Sequence, residues 1–326
     1  MKVVHWTLVN GSGLHHMAWD ISQREVLLGI DSRIVDTLQP ITDEIIQSTI
    51  DADVHIIHSH IPDSVKAKAK RMIYVAHGTP EHCFQSAVES GLNRGYGAGD
   101  SWMMLLHYLQ VCDVTVTWWP RHQAILQSLS DKGSRVEIVP MGVDTTVFRP
   151  EVSRGKWVGS PSVLTAENCH YIKWPLDLFI LWPWVVKELP NASLHAHYLP
   201  RDQHRWFMPL VYRNGTAYKC YLSGDPLSQS DLINAMNSVD FYIGLVRYGD
   251  FDRLAMEAKA CGCKLISYAG NEYADYWITE GDQRRMAEEL VAILSGQVTA
   301  RESLPAVDIS QTAEAMVKIY ESLTVY

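Results

Sequence analysis

The chain has 326 residues, 47% of them hydrophobic, a formal charge of -9 and a pI of 5.8. That is enough to bury two cores, and too acidic for bulk attraction to nucleic acid or to an anionic membrane. The six cysteines lack zinc spacing and the density of a disulfide scaffold, the N-terminal apolar run reaches Asn10-Gly11-Ser12-Gly13 too soon for a signal peptide, and the longest apolar run is broken by Asp177 and Pro183.

Short β-rich runs alternate with helical patterns from the start. Strands are expected at Val3 to Val9, Ile30 to Val35, Val54 to His58, Met72 to Ala76, Asp113 to Trp118 and Val136 to Val139. Helices are expected at Leu14 to Leu28, after Pro62, twice between His82 and Val111, and at Arg121 to Ser130. This is the βαβ rhythm of a parallel sheet and makes one doubly wound domain over residues 1–150. Phe148 to Lys156 lacks periodicity and carries Pro, Ser and Gly, which marks it as a linker.

A second domain, residues 151–308, repeats the rhythm. Its expected strands are Ser162 to Ala166, Ala192 to Tyr198, Ala217 to Leu222, Asp240 to Val246 and Lys264 to Tyr268. Helices are expected at Pro175 to Leu189, Leu227 to Asn237, Asp252 to Cys261 and Gln283 to Leu294. The last segment, residues 309–326, reads as an amphipathic helix that crosses back to the first domain. Two such domains facing each other are expected to place the carboxyl ends of both sheets at a central cleft.

Residues 249–262 carry the most chemistry. Asp250 or Asp252 can cap a helix whose first amides, at Arg253, Leu254 and Ala255, are natural anion donors. Glu257, one turn further in, is placed to accept two ribose hydroxyls. The same residues also suit an ordinary amphipathic helix between two buried strands.

With the element order in hand, the chain resembles the retaining glycosyltransferases of the GT-B fold, family 4 in particular. Four segments carry the resemblance: the glycine turn Gly11-Ser12-Gly13, the pair His77-Gly78 after a strand, the stretch Val139 to Pro150, and Asp240 to Gly262. The third is similar to the family's Pro-Asn-Gly-Val-Asp-x-x-x-Phe-x-Pro motif. The family's Glu-x7-Glu pair maps its second carboxylate to Glu257 and its first position to Gly249, so Asp250 or Asp252 is the candidate for the sugar contact. Lys173 matches the diphosphate lysine. The arginine five residues earlier is Asn168 here, and Arg247 is the candidate replacement.

The resemblance implies a metal-independent, retaining transferase with no cofactor, using a UDP- or GDP-linked sugar as co-substrate and an unidentified hydroxyl acceptor. His77, Lys173 and Glu257 are then the catalytic candidates, with Gly11, Ser12, Gly13, Arg247, Asp250, Asp252, Arg253, Leu254 and Ala255 around the donor. A non-catalytic nucleotide-sugar module, a GT-B epimerase and transfer to modified bases of viral DNA are the alternatives.

Other features admit two readings each. His58 and His60 either hold a metal or line the cleft as loop histidines. Gly91 to Asp100 is a lid over the acceptor or a plain connection. Trp118 and Trp119 stack on a ligand or finish a core. Lys66, Lys68, Lys70 and Arg71 make a peripheral membrane contact or a solvated face.

Overall fold

The fold is that of a computed structural model, which describes residues 1–92, 99–130, 133–151, 155, 157–166, 175–197, 219–222, 227–247 and 252–324. The chain divides into two compact units, Met1–Asp144 with Val307–Tyr326 and Thr145–Ala306.

In the first unit, strands β1 (Lys2–Thr7), β2 (Asp31–Asp36), β3 (Val54–Ile57), β4 (Met72–Ala76), β5 (Val114–Thr117) and β6 (Arg135–Ile138) form a parallel sheet in the order β2-β1-β3-β4-β5-β6. β3, β4 and β5 are almost wholly buried, as strands covered on both faces must be. Helix α1 (Gly13–Leu27) starts at a Ser12 cap and ends before Gly29 at φ +82, where glycine takes the left-handed turn without strain. The segments Asp43–Thr49 (α2), Asp63–Lys66 (α3), Pro80–Leu92 (α4), Gly99–Val111 (α5) and Gln123–Leu129 (α6) complete the crossovers. The periodicity reading lacked α2. Its short run between strands shows too little apolar repeat, and Thr42 starts it by capping the Ile45 amide.

The second unit carries β7 (Ser162–Thr165), β8 (Ser193–Ala196), β9 (Cys220–Leu222), β10 (Phe241–Gly244), β11 (Lys264–Tyr268) and β12 (Tyr276–Ile278), all parallel, in the order β12-β11-β10-β7-β8-β9. Successive residues serve opposite faces. Val163, Ile243 and Ile266 pack with Phe179, Trp182 and Leu290, whereas Leu164, Tyr242 and Leu265 pack with Phe148, Ala255 and Ala258. The covering helices are α7 (Pro175–Glu188), α8 (Gln229–Met236), α9 (Arg253–Ala260) and α10 (Gln283–Leu294). The three-residue β12 was not expected from the sequence, being too short to show alternation.

Phe148, inside the expected linker, is buried in the second unit's core, and Asn237 ties down the Arg149 carbonyl and the Glu151 amide. The chain returns to the first unit as α11 (Ile309–Thr324), whose Tyr320 is buried against α1. Before it, Val143 and Asp308 pair in parallel, with Val143 N–H on the Val307 carbonyl and Ile309 N–H on the Val143 carbonyl. Gly142 lets this happen: a Cβ there would lie 2.5 Å from Thr312 Oγ1 and 2.7 Å from the Asp308 carbonyl oxygen.

Candidate functional site

Each sheet reverses its winding once, between β1 and β3 in the first unit and between β7 and β10 in the second. Ligands of open α/β sheets bind outside the carboxyl ends of the strands at such a reversal. Gly11 to Gly13 follows β1, His58 follows β3, His77 follows the neighbouring β4, and Arg247 comes three residues after β10.

After β1 the chain turns through Gly11 at φ +73, a conformation that favours glycine. The Gly11 amide donates to His15 Nδ1 at 3.1 Å and the Ser12 amide to Asn10 Oδ1 at 3.0 Å. Two amides of the glycine turn are therefore used within it. The next two, at Gly13 and Leu14, have no hydrogen-bond partner among the described residues and are the donors this turn can offer an anion.

His77 is half-buried at the end of β4. Its Nε2 lies 2.8 Å from Nδ1 of His58, whose Nε2 lies 3.0 Å from Nδ1 of His5, whose Nε2 lies 2.8 Å from Oε2 of Glu25. Glu25 also accepts from Ser32 Oγ at 2.6 Å and from the Tyr320 hydroxyl. Burial holds His77 down to about 3. Burial, with the charges of His77 and His5 added, puts His58 well below the usual histidine range. For Glu25, burial acts upward, but the charge of His5 and the hydrogen bonds from His5, Ser32 and Tyr320 outweigh it, so the carboxyl lies below its ordinary value.

The two histidines that follow β3 differ: β3 ends at Ile57, His58 is buried and His60 is exposed. Among the described residues no group of three or more His, Cys, Asp and Glu is placed to hold a metal ion. Two Asp-x-Asp triplets occur: in the first, Asp51 pairs with Lys2 and Asp53 with Lys70; in the second, Asp252 caps a helix. Trp118 and Trp119 are both 2% exposed and finish a core. In the basic run, Lys66 pairs with Asp63, Lys70 with Asp53, and Arg71 donates to the Leu323 carbonyl. Residues 93–98 of the glycine-dense segment lie outside the described residues.

In the second unit, Asp252 is the N-cap of α9. Its carboxylate accepts from the Leu254 amide at 2.9 Å, and its carbonyl from the Ala255 amide at 3.1 Å. The expectation that Arg253, Leu254 and Ala255 present three available amides is therefore corrected: the cap uses two of them. Arg253 Nε donates to Glu257 Oε1 at 2.8 Å, one helical turn on, with Glu257 6% exposed. Lys173, Asp250, Gly249 and Asn168 lie outside the described residues.

Arg247 Nη2 donates to Asp177 Oδ2 at 2.8 Å, and Glu280 lies 3.8 Å from its Nε. Tyr268 donates its hydroxyl to the same Asp177 oxygen at 2.7 Å. Burial disfavours the Arg247 charge, and Asp177 more than restores it. Arg247 is thus a cation already engaged by carboxylates, with its side chain 32% exposed. Sequence reasoning missed Asp177 and Tyr268, and also His5, Glu25 and Tyr320. An ionisable residue at Glu25, in register with buried Met17 and Ile21 at four-residue spacing, is the one signal that was available.

Neither a protein-family model nor a curated protein sequence matches the chain. Solved structures do. Sucrose-phosphate synthase from Thermosynechococcus elongatus matches with a TM-score of 0.70 at 13% identity, over 99% of this chain and 96% of that one. HepE from Anabaena, solved with UDP and glucose, matches with a TM-score of 0.63 at 11% identity, over 99% of this chain and 100% of that one. An alpha-glucosyltransferase solved with UDP and a DNA containing an A:G mismatch matches with a TM-score of 0.62 at 13% identity, over 98% and 100%. With its two parallel sheets, the chain has the α/β GT-B fold of two Rossmann-like, doubly wound domains. No helix among the described residues is long and apolar enough to cross a membrane.

Proposed function

We propose that the protein is a retaining, metal-independent glycosyltransferase that moves a sugar from a nucleotide-linked donor to a hydroxyl acceptor. The observation that carries this reading is the coincidence, in one GT-B chain, of Glu257 on the helix after β10 and His77 at the end of β4, the positions to which the family resemblance assigns donor ribose and sugar. UDP is the expected nucleotide, since HepE and the alpha-glucosyltransferase were solved with it.

Each residue has a role that its chemistry supports. Glu257, fixed by Arg253, accepts ribose hydroxyls. Lys173 supplies positive potential to the departing diphosphate, the site where charge builds up in the transition state. His77 meets a hydroxyl. No covalent nucleophile is assigned, and retention then follows from attack on the face the diphosphate leaves.

The test is to incubate the protein with UDP-, GDP-, ADP- and CMP-sugars and quantify free nucleotide and sugar, with Glu257→Ala as control. Release of one nucleotide, lost in the control, is the expected result and names the donor. No release and no thermal stabilisation by any donor would end the assignment. A second acceptor class merits an arm of the same assay, modified bases in DNA, because one structural neighbour was solved with DNA. Against it stand the charge of -9 and the pairing of Lys66 and Lys70 with aspartates.

A further inference from the structure

From His77 runs an unbroken line of hydrogen-bonded side chains from four different elements: His77 at the end of β4, His58 at the end of β3, His5 on β1 and Glu25 on α1. His5, His58 and Glu25 are between 0% and 1% exposed. The line has a direction. Glu25, ionised, can only accept, so the His5 Nε2 that faces it carries hydrogen. In neutral His5 that leaves Nδ1 as an acceptor, so His58 must donate from Nε2. His58 Nδ1 is then an acceptor, and His77 donates from its own Nε2. With His5 neutral, all three rings are Nε2–H tautomers in one register, and Nδ1 of His77 is then an acceptor that no other described residue engages.

We propose that these four residues are a proton relay, in which a hydroxyl proton taken up at Nδ1 of His77 is passed through His58 to His5, where the Glu25 carboxylate balances the charge. The proposal rests on the transferase reading for the identity of the hydroxyl. The acceptor O–H breaks and its proton bonds His77 Nδ1. The His77 Nε2 proton moves to His58 Nδ1, and the His58 Nε2 proton moves to His5 Nδ1. His5 is then an imidazolium facing Glu25, one positive charge against one negative. The acceptor oxygen uses its freed electron pair on the anomeric carbon, and the sugar–phosphate bond breaks with its pair going to the nucleotide diphosphate. The reverse hops return the proton to water through His77 after product leaves.

The environment explains why a relay is needed. Burial makes His77 and His58 poor places to hold a charge, so a proton stranded on either ring would be costly. At His5 the charge meets a carboxylate. Among the described residues the titratable groups facing the line are its own members and Tyr320 of α11, whose hydroxyl is pushed well above the usual tyrosine range by burial and by Glu25 and so stays a donor. Ser32 of β2, itself in contact with Ser22 of α1, adds an uncharged donor.

The test uses the full chain labelled with 15N-histidine. The expected spectrum at neutral pH shows His77, His58 and His5 as Nε2–H tautomers. Glu25→Gln, which keeps the shape but lets an amide N–H donate to His5 Nε2, is expected to turn all three to the Nδ1–H form. It should also lower kcat for donor turnover by about 100-fold, the scale of a lost general base, leaving the donor KM within twofold. Tyr320→Phe retains the line and is expected to retain the Nε2–H register, which separates loss of the carboxylate from a general disturbance of α1. A His77 found as the Nδ1–H tautomer in the wild type, or Glu25→Gln with an unchanged register, would overturn the relay. These spectra decide it even if the wild type turns over no nucleotide sugar, an outcome that would sink the transferase reading instead.

Discussion

The two units hold their candidate side chains in opposite ways. In the first, His77 is positioned by partners 19, 53 and 20 residues apart along the chain at successive links, and the line is closed by Tyr320, 295 residues from Glu25. In the second, Asp252 caps the amide two residues on and Arg253 holds the carboxylate four residues on. A local pair is made by any helix that forms. A long-range line exists only when the whole sheet and its returning helix are in place, so the first unit's site should be far more sensitive to distant damage.

The largest expected effect is at Glu25. Glu25→Ala removes the buried anion and leaves Ser32, Tyr320 and His5 without their acceptor, a loss on the order of 3–5 kcal/mol when a buried pair is broken. Urea unfolding followed by hydrogen exchange should show it as early exposure of β1 and α11. Protection of both elements at wild-type levels would break the comparison.

Acid comes next. His55 is fully buried, accepts from Trp6 Nε1, and is held down to about 4 by burial, with Arg33 and Lys2 acting the same way against Asp51. Below about pH 6.5 the unfolded chain takes up a proton that the folded one refuses until about pH 4. The stability is complete above 6.5 and falls through that window, by on the order of 3 kcal/mol for this residue. His77 and His58 act with the same sign. Thermal melts at stepped pH should show the loss, and His55→Gln, which keeps an acceptor for Trp6, should remove much of it. A flat profile from 6.5 to 4 would show that the first unit does not depend on neutral buried rings.

This difference also explains what the sequence could disclose. Parallel strands announce themselves as apolar runs, and Met72–Ala76, Lys264–Tyr268 and the helix Gln283–Leu294 match their expected bounds. Glu257 and Asp252 were legible because cap and carboxylate are spaced by helix geometry. The partners of His77 were not, because no local period relates His5, Glu25, His58 and Tyr320; only the order of strands in the sheet brings β1, β3 and β4 side by side. Asp177 and Arg247 are likewise 70 residues apart. Short elements such as α2 and β12 escaped for a different reason, carrying too few residues to establish a repeat.

The stretch Val139 to Pro150 is a case where the resemblance was visible and its physical reason was not. Gly142 lies where a methyl group would overlap Thr312 and the Asp308 carbonyl, at the point where the chain rejoins the first unit. Gly142→Ala is expected to cost about 2 kcal/mol through overpacking and to raise the exchange of α11 amides without changing those of α9. Equal changes in both helices would mean that the glycine does not act through the returning segment.

The smallest effect tests the second unit where its local design opposes its proposed chemistry. An ionised Asp252 at the start of α9 satisfies an amide and favours the helix dipole, yet it places a negative charge close to where the resemblance puts a diphosphate. Asp252→Asn retains the cap, since asparagine is as good an N-cap as aspartate, and removes the charge. Stability should change by no more than about 0.5 kcal/mol from the lost dipole interaction. Donor binding should tighten about fivefold, the factor that corresponds to relief of about 1 kcal/mol of repulsion, and the gain should shrink as salt is added. Titration of the nucleotide diphosphate by calorimetry at two ionic strengths reads both. If binding weakens instead, the aspartate is itself a ligand contact, as expected of a residue standing in for the first glutamate of the family pair.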